Sequence, residues 1–109
     1  MSAITTHVLD TARGRPAAGV AVALERGGTV LARGATDADG RVRDLLPAGV
    51  PLEPGSYRLV FGTEGYFAAQ GTEAFYPEVA VVFRVAGRGE HFHVPLLLSP
   101  FGYSTYRGS

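Results

Sequence analysis

The sequence has no cysteine, which removes disulfide frameworks, thiolate metal sites and cysteine nucleophiles together. It has no excess of either charge: 10 Lys and Arg balance 10 Asp and Glu, so neither nucleic acid nor an anionic membrane is an expected partner. It has no apolar run approaching the ~18 residues of a spanning helix. The opening residues, Met1-Ser2-Ala3-Ile4-Thr5-Thr6-His7, contain no basic segment followed by an apolar one. No secretory signal is therefore expected, and the chain is expected to be cytoplasmic. None of the serines sits in a Gly-x-Ser-x-Gly elbow, which argues against serine-hydrolase chemistry. Internal repeats, linkers and low-complexity stretches are absent as well. With 109 residues and a net charge of +0, residues 1–109 are expected to form one compact domain. Such a charge does little to keep copies of the chain apart, which favours assembly.

What is present is punctuation. Gly 15 and Pro 7 divide the chain into short apolar runs, the pattern of an all-β domain with many turns. Ala3 to Leu9 alternates, with Ile4, Thr6 and Val8 on one side and Thr5, His7 and Leu9 on the other. Asp10 to Pro16 reads as a loop. Val20 to Glu25 alternates again, and Gly27-Gly28 predicts a two-residue hairpin into Thr29 to Gly34. The turn Asp37-Ala38-Asp39-Gly40 leads to a short segment from Arg41 to Leu45, and a proline-rich loop occupies Pro47 to Gly55. Tyr57, Leu59 and Phe61 share a face of the next strand, and Glu64 to Gln70 is the one short helix expected. Glu78 to Val85 carries an apolar stripe of Val79, Val81, Phe83 and Val85. The last long strand runs from His91 to Leu98, and Phe101 to Ser109 reads as a polar, aromatic tail. Seven or eight evenly spaced strands predict an antiparallel two-sheet sandwich.

Histidine is scarce, at 3 residues, and its placement is informative. On the last strand Phe92, Val94, Leu96 and Leu98 form the core face, leaving His91, His93, Pro95 and Leu97 opposite. On the first strand His7 likewise stands outside the core with Leu9. Imidazole beside aliphatic residues on an outer face suits a pocket or a partner surface, and imidazole exchanges protons near neutral pH. A histidine on a strand face is more often only a solvated side chain, and His91 beside its turn is read that way. A metal bound by His91-x-His93 is the rival chemistry, but without cysteine and with only Glu90 nearby the ligand set is thin, so no metal is expected. Arg41, after the Asp39-Gly40 turn, and Arg107, in the tail, are permanent cations that suit a planar carbonyl or oxyanion, although most arginines are solvated surface charges.

Beyond these residues the chain resembles a known family over its whole length. Thr6-His7-Val8-Leu9-Asp10-Thr11 followed by Gly14-Arg15-Pro16-Ala17 resembles the amino-terminal signature of 5-hydroxyisourate hydrolases. His91-Phe92-His93-Val94-Pro95-Leu96-Leu97-Leu98-Ser99-Pro100 resembles their last long strand. Tyr106-Arg107-Gly108-Ser109 resembles the terminal tetrapeptide that separates them from transthyretin, the related hormone carrier. The resemblance implies a transthyretin-like sandwich of two four-stranded antiparallel sheets with one short helix. It also implies a homotetramer with active sites where two dimers meet, and hydrolysis of the small molecule 5-hydroxyisourate without a cofactor. His7, Arg41 and His93 match the family's catalytic residues, and Tyr106, Arg107 and Ser109 its substrate-binding ones. Phe92 departs from the tyrosine more usual there, but on the core face. Two other readings remain: a small-ligand carrier using the same channel, and a non-catalytic sandwich module. Such modules share Gly14-Arg15-Pro16-Ala17-Ala18-Gly19-Val20, Thr36-Asp37-Ala38-Asp39-Gly40 and Pro54-Gly55-Ser56-Tyr57 for reasons of turn chemistry, so only the two histidine-bearing strands and the tail discriminate.

Overall fold

A computed structural model describes residues 2–109. In chain order its strands are β1 (Ile4–Asp10), β2 (Arg15–Pro16), β3 (Ala21–Arg26), β4 (Thr29–Ala35), β5 (Arg41–Val42) and β6 (Gly55–Gly62). Helix α1 (Thr63–Ala68) follows, then β7 (Val79–Val85), β8 (Phe92–Ser99) and β9 (Gly102–Thr105). One sheet has the order β4-β3-β6-β7. The other has the order β2-β1-β8-β9, with β5 pairing β1 off that path.

Alternation explains why these segments pair with one face inward. In β1, Ile4, Thr6, Val8 and Asp10 are buried while Thr5, His7 and Leu9 are half-buried outside. In β6, Tyr57, Leu59 and Phe61 point inward at 3%, 0% and 0% exposure. In β8, Phe92, Val94, Leu96 and Leu98 meet them from the opposite sheet. Each such side chain contributes about 1.5–3 kcal/mol on leaving water, so a one-residue register slip, which would turn all of them out, is strongly disfavoured. Gly27 and Gly28 take φ of 57° and 81°, the conformation of the tight hairpin turn expected between β3 and β4.

Three expectations need correction. The sheets are not wholly antiparallel: β1 and β8 run parallel, from Ile4 opposite Phe92 to Asp10 opposite Leu98. Parallel neighbours need a long crossover, here most of the chain. The loop read over Asp10–Pro16 ends in the two-residue strand β2, paired with Leu9 and Asp10. The tail is not free. Residues Gly102–Thr105 form β9 along β8, and the bridge between His93 and Gly108 continues that pairing. Helix α1 begins one residue before the expected start and ends two before the expected end. Among the described residues, no helix is long and apolar enough to cross a membrane.

Candidate active site

The outer face of β1 and its two neighbours gather the titratable groups. Register places His7 opposite Arg41 on β5 and opposite Pro95 on β8, while Thr5 stands opposite His93. His7, Arg41 and His93 therefore occupy one patch of one sheet, contributed by three strands that lie far apart in sequence.

The Asp37–Arg41 turn holds Arg41 there. The Asp37 carboxylate accepts the backbone N–H of Asp39 at 2.9 Å and of Arg41 at 3.0 Å. Chiefly through the Arg41 N–H, then the Asp39 N–H and the Arg43 cation, these contacts outweigh partial desolvation and hold its pKa below the ordinary aspartate value. Gly40 sits at φ +76°, and a Cβ added there would lie 2.4 Å from the Val8 carbonyl oxygen. Only glycine lets the turn approach β1, where the Val8 N–H donates to the Gly40 carbonyl at 2.7 Å. Asp37 and Asp39 both direct their carboxylates to Arg43, at 3.5 and 3.4 Å. Arg41, half-buried, has no carboxylate within ion-pair distance among the described residues. The site thus keeps one uncommitted guanidinium.

Each histidine is held by a specific partner. His7 Nε2 lies 2.8 Å from the Asp39 carbonyl oxygen. A carbonyl only accepts, so Nε2 carries the proton and Nδ1 is the lone-pair nitrogen of the neutral ring. His93 Nδ1 lies 2.8 Å from Thr5 Oγ1, and His91 Nε2 lies 3.1 Å from the same oxygen. Burial first, then the Arg41 cation and the His7 and His91 rings, lower the His93 pKa from the ordinary imidazole value. These surroundings favour the neutral, proton-accepting form of His93. The His91 and His93 rings converge on a hydroxyl rather than on a metal position. Among the described residues no group of three or more His, Asp or Glu is placed to hold an ion.

The tail divides. Gly108 lies directly under the His93 ring: a Cβ there would come within 2.5 Å of His93 Cδ2. The Gly108 N–H donates to the His93 carbonyl at 2.8 Å. Tyr106 is 59% exposed and lines the crevice between β7 and β8. Ser109 follows at the edge, exposed. Arg107 lines the same crevice, away from the His93 ring. Its guanidinium lies over the Phe92 ring, 4.7 Å from the centroid, and 3.5 Å from Glu90, in the crevice between β7 and β8 lined by Val81, Phe83 and Val94. Within one chain, therefore, Arg107 does not join His7, Arg41 and His93, and Phe92 is its seat. Sequence reasoning passed over Thr5 and left His91 as a turn residue. Thr5 shares the outer face with His7 in the alternation, but the register that brings it to His93 depends on long-range pairing.

Fold and site together define a class: a small two-sheet sandwich with imidazole and guanidinium groups on an open outer face. The HIUase/Transthyretin family model matches residues 4–108, and the chain belongs to that family. It is 47% identical over 110 residues to the 5-hydroxyisourate hydrolase of Salmonella dublin, covering 97% of this chain and 80% of that protein. Among solved structures it resembles Klebsiella pneumoniae 5-hydroxyisourate hydrolase, with a TM-score of 0.88 and 42% identity over 97% of this chain and 98% of the other. It also resembles sea bream transthyretin in complex with thyroxine, with a TM-score of 0.90 and 34% identity over 98% and 95%.

Proposed function

We propose that this chain hydrolyses 5-hydroxyisourate to 2-oxo-4-hydroxy-4-carboxy-5-ureidoimidazoline in urate catabolism, with residues 1–109 acting as one cytoplasmic hydrolase domain and needing no cofactor. The observation that carries this reading is the convergence of two imidazoles and an uncommitted guanidinium on one face. Its similarity to hydrolases of that name, at 47% and 42% identity, supplies the substrate.

In this mechanism one histidine takes a proton from water as its oxygen attacks a ring carbonyl. A C–O bond forms, the ring C–N bond breaks, and the proton passes to the departing nitrogen. Proton transfer of this kind contributes roughly 100- to 10,000-fold. Arg41 stabilises the oxyanion that develops on the carbonyl. His7 is slightly preferred as the base, with His93 orienting the water or donating to the nitrogen. Tyr106 and Ser109 bind substrate at the rim. Arg107 completes the site only if its side chain leaves Phe92, or if it is supplied by another subunit. The site is proposed to lie between dimers of a homotetramer. The half-buried Leu9 and Leu97 on the histidine face and the exposed Tyr103 and Tyr106 suit a subunit contact better than water.

The likeness to a thyroxine-bound transthyretin gives the carrier reading a specific basis. Against it, two imidazoles and a cation make a poor seat for an apolar ring system. The test is substitution at the site. His7→Ala and His93→Ala should each lower turnover of 5-hydroxyisourate by roughly 100-fold or more while the tetramer persists by light scattering. Near-normal rates in both variants would remove this site from the chemistry.

A further inference from the structure

The hydrogen bonds around Thr5 determine a proton position that neither the family resemblance nor the register supplies. The Ser2 carbonyl lies 2.9 Å from His91 Nδ1 and can only accept, so Nδ1 of His91 carries a proton. In the neutral ring His91 Nε2 is then a lone pair. Its 3.1 Å contact with Thr5 Oγ1 is a hydrogen bond only if the hydroxyl donates. A hydroxyl has one proton, so the 2.8 Å contact between Thr5 Oγ1 and His93 Nδ1 requires His93 Nδ1 to donate. With the His91 ring neutral, each donor in this series faces an acceptor, and each assignment leaves the next no choice.

From this count we infer that Thr5 and His91 are positioning residues for the reaction proposed above. They hold neutral His93 in its Nδ1–H form, which leaves its Nε2 as the lone-pair nitrogen. The anchor of the series is firm. Ser2 is 1% exposed, and its Oγ accepts the backbone N–H of Leu46 at 3.2 Å and of Ile4 at 3.4 Å. Ser2 thus ties the series to the hydrophobic core. At the other end Gly108 packs under the His93 ring, so ring orientation and tautomer are set by different neighbours. His7 reaches the mirror arrangement by a shorter route: its Nε2 is held by the Asp39 carbonyl, which leaves Nδ1 as the acceptor. The two histidines thus present opposite ring nitrogens, each fixed by a backbone carbonyl, His7 directly and His93 through Thr5 and His91.

The inference rests on the proposed hydrolysis for its consequence, but its direct test does not involve activity. Two-bond proton–nitrogen ring spectra of the intact protein at about pH 8, where imidazole is ordinarily neutral, report which nitrogen of each histidine is protonated. In the unaltered chain His93 should carry its proton on Nδ1. Thr5→Val removes the hydroxyl and keeps the β-branched shape, and it should move the proton to Nε2. Thr5→Ser should restore Nδ1–H. His91→Phe frees the hydroxyl proton to turn toward His93, and it should give a mixture of the two forms. A wrong tautomer costs up to about 10,000-fold in a serine-protease histidine. A neutral hydroxyl holds less firmly than a carboxylate, so kcat of Thr5→Val should fall roughly 10- to 100-fold, as for lost outer partners of other functional histidines. KM should hold near its original value. Protonation of His93 on Nε2 in the unaltered chain, or the same tautomer in Thr5→Val as in the parent, would overturn the inference. The expected tautomers in a chain that does not hydrolyse 5-hydroxyisourate would support the tautomer assignment and overturn the functional reading instead.

Discussion

Gly108→Ala isolates positioning from stability. The added methyl would lie 2.5 Å from His93 Cδ2, 3.2 Å from Cγ and 3.4 Å from Cβ. Ordinary carbon contacts fall at about 3.5–4.0 Å, so either the ring retreats by about 1 Å or the tail lifts from β8. The tail is joined to β8 at this point by the Gly108 N–H donating to the His93 carbonyl at 2.8 Å, and Gly108 is not among the buried core residues. The stability change should therefore stay within about 1 kcal/mol. A misplacement of about 1 Å at a reacting group costs about 100-fold, equivalent to about 2.7 kcal/mol of transition-state stabilisation. The variant should show kcat/KM reduced by about 100-fold in an ultraviolet assay of 5-hydroxyisourate decay, with a melting temperature within a few degrees of the parent. Its His93 ring resonances should shift while those of His7 hold. Full activity together with unshifted His93 resonances would refute the claim that Gly108 sets the position of that ring.

Other expectations follow from the same geometry. His93 has a lowered pKa, so its neutral form persists below pH 6.5 and is lost only as pH falls through the lowered value. Its NMR titration midpoint should lie below 6.5. Arg41→Ala removes one of the causes and should raise that midpoint without restoring it, because burial is the larger cause; a midpoint at or above 6.5 in the parent would contradict this. Arg41→Ala should also lower kcat by roughly 100- to 1,000-fold, the usual cost of one oxyanion donor, and an unchanged kcat would exclude that role. Gly40→Ala places a side chain at φ +76° against the Val8 carbonyl. The positive φ alone costs about 1–2 kcal/mol, so chemical denaturation should show at least that loss, and parental stability would mean that the turn relaxes freely.

What could be read from the sequence was local. Alternation over Ala3–Leu9 and His91–Leu98 identified the inward faces, and His7 and His93 outside them, although Asp10 belongs to β1 and His91 precedes β8. The Gly27-Gly28 turn, the short helix and the place of Arg41 after Gly40 follow from turn and strand chemistry, which needs only near neighbours. What could not be read was pairing across the chain. Nothing local in Thr5 or His93 says that they face each other across a parallel β1–β8 pair; that follows from closing the whole sandwich. The tail escaped for a related reason. Gly102–Thr105 is short and exposed on its edge, so its strand character comes from β8 rather than from its own residues. Arg107 stands out in sequence as a charge in the tail, whereas its seat over Phe92 within one chain depends on tertiary packing.

Whether this face turns over 5-hydroxyisourate is settled by a count of turnovers. Substrate made freshly from urate with urate oxidase would be mixed in large excess with the chain, and its loss followed by ultraviolet absorbance against the spontaneous decay. Many molecules of substrate should be consumed per chain, at a rate proportional to protein. Decay at the spontaneous rate after at most one equivalent is bound would contradict it and would leave the carrier reading in its place.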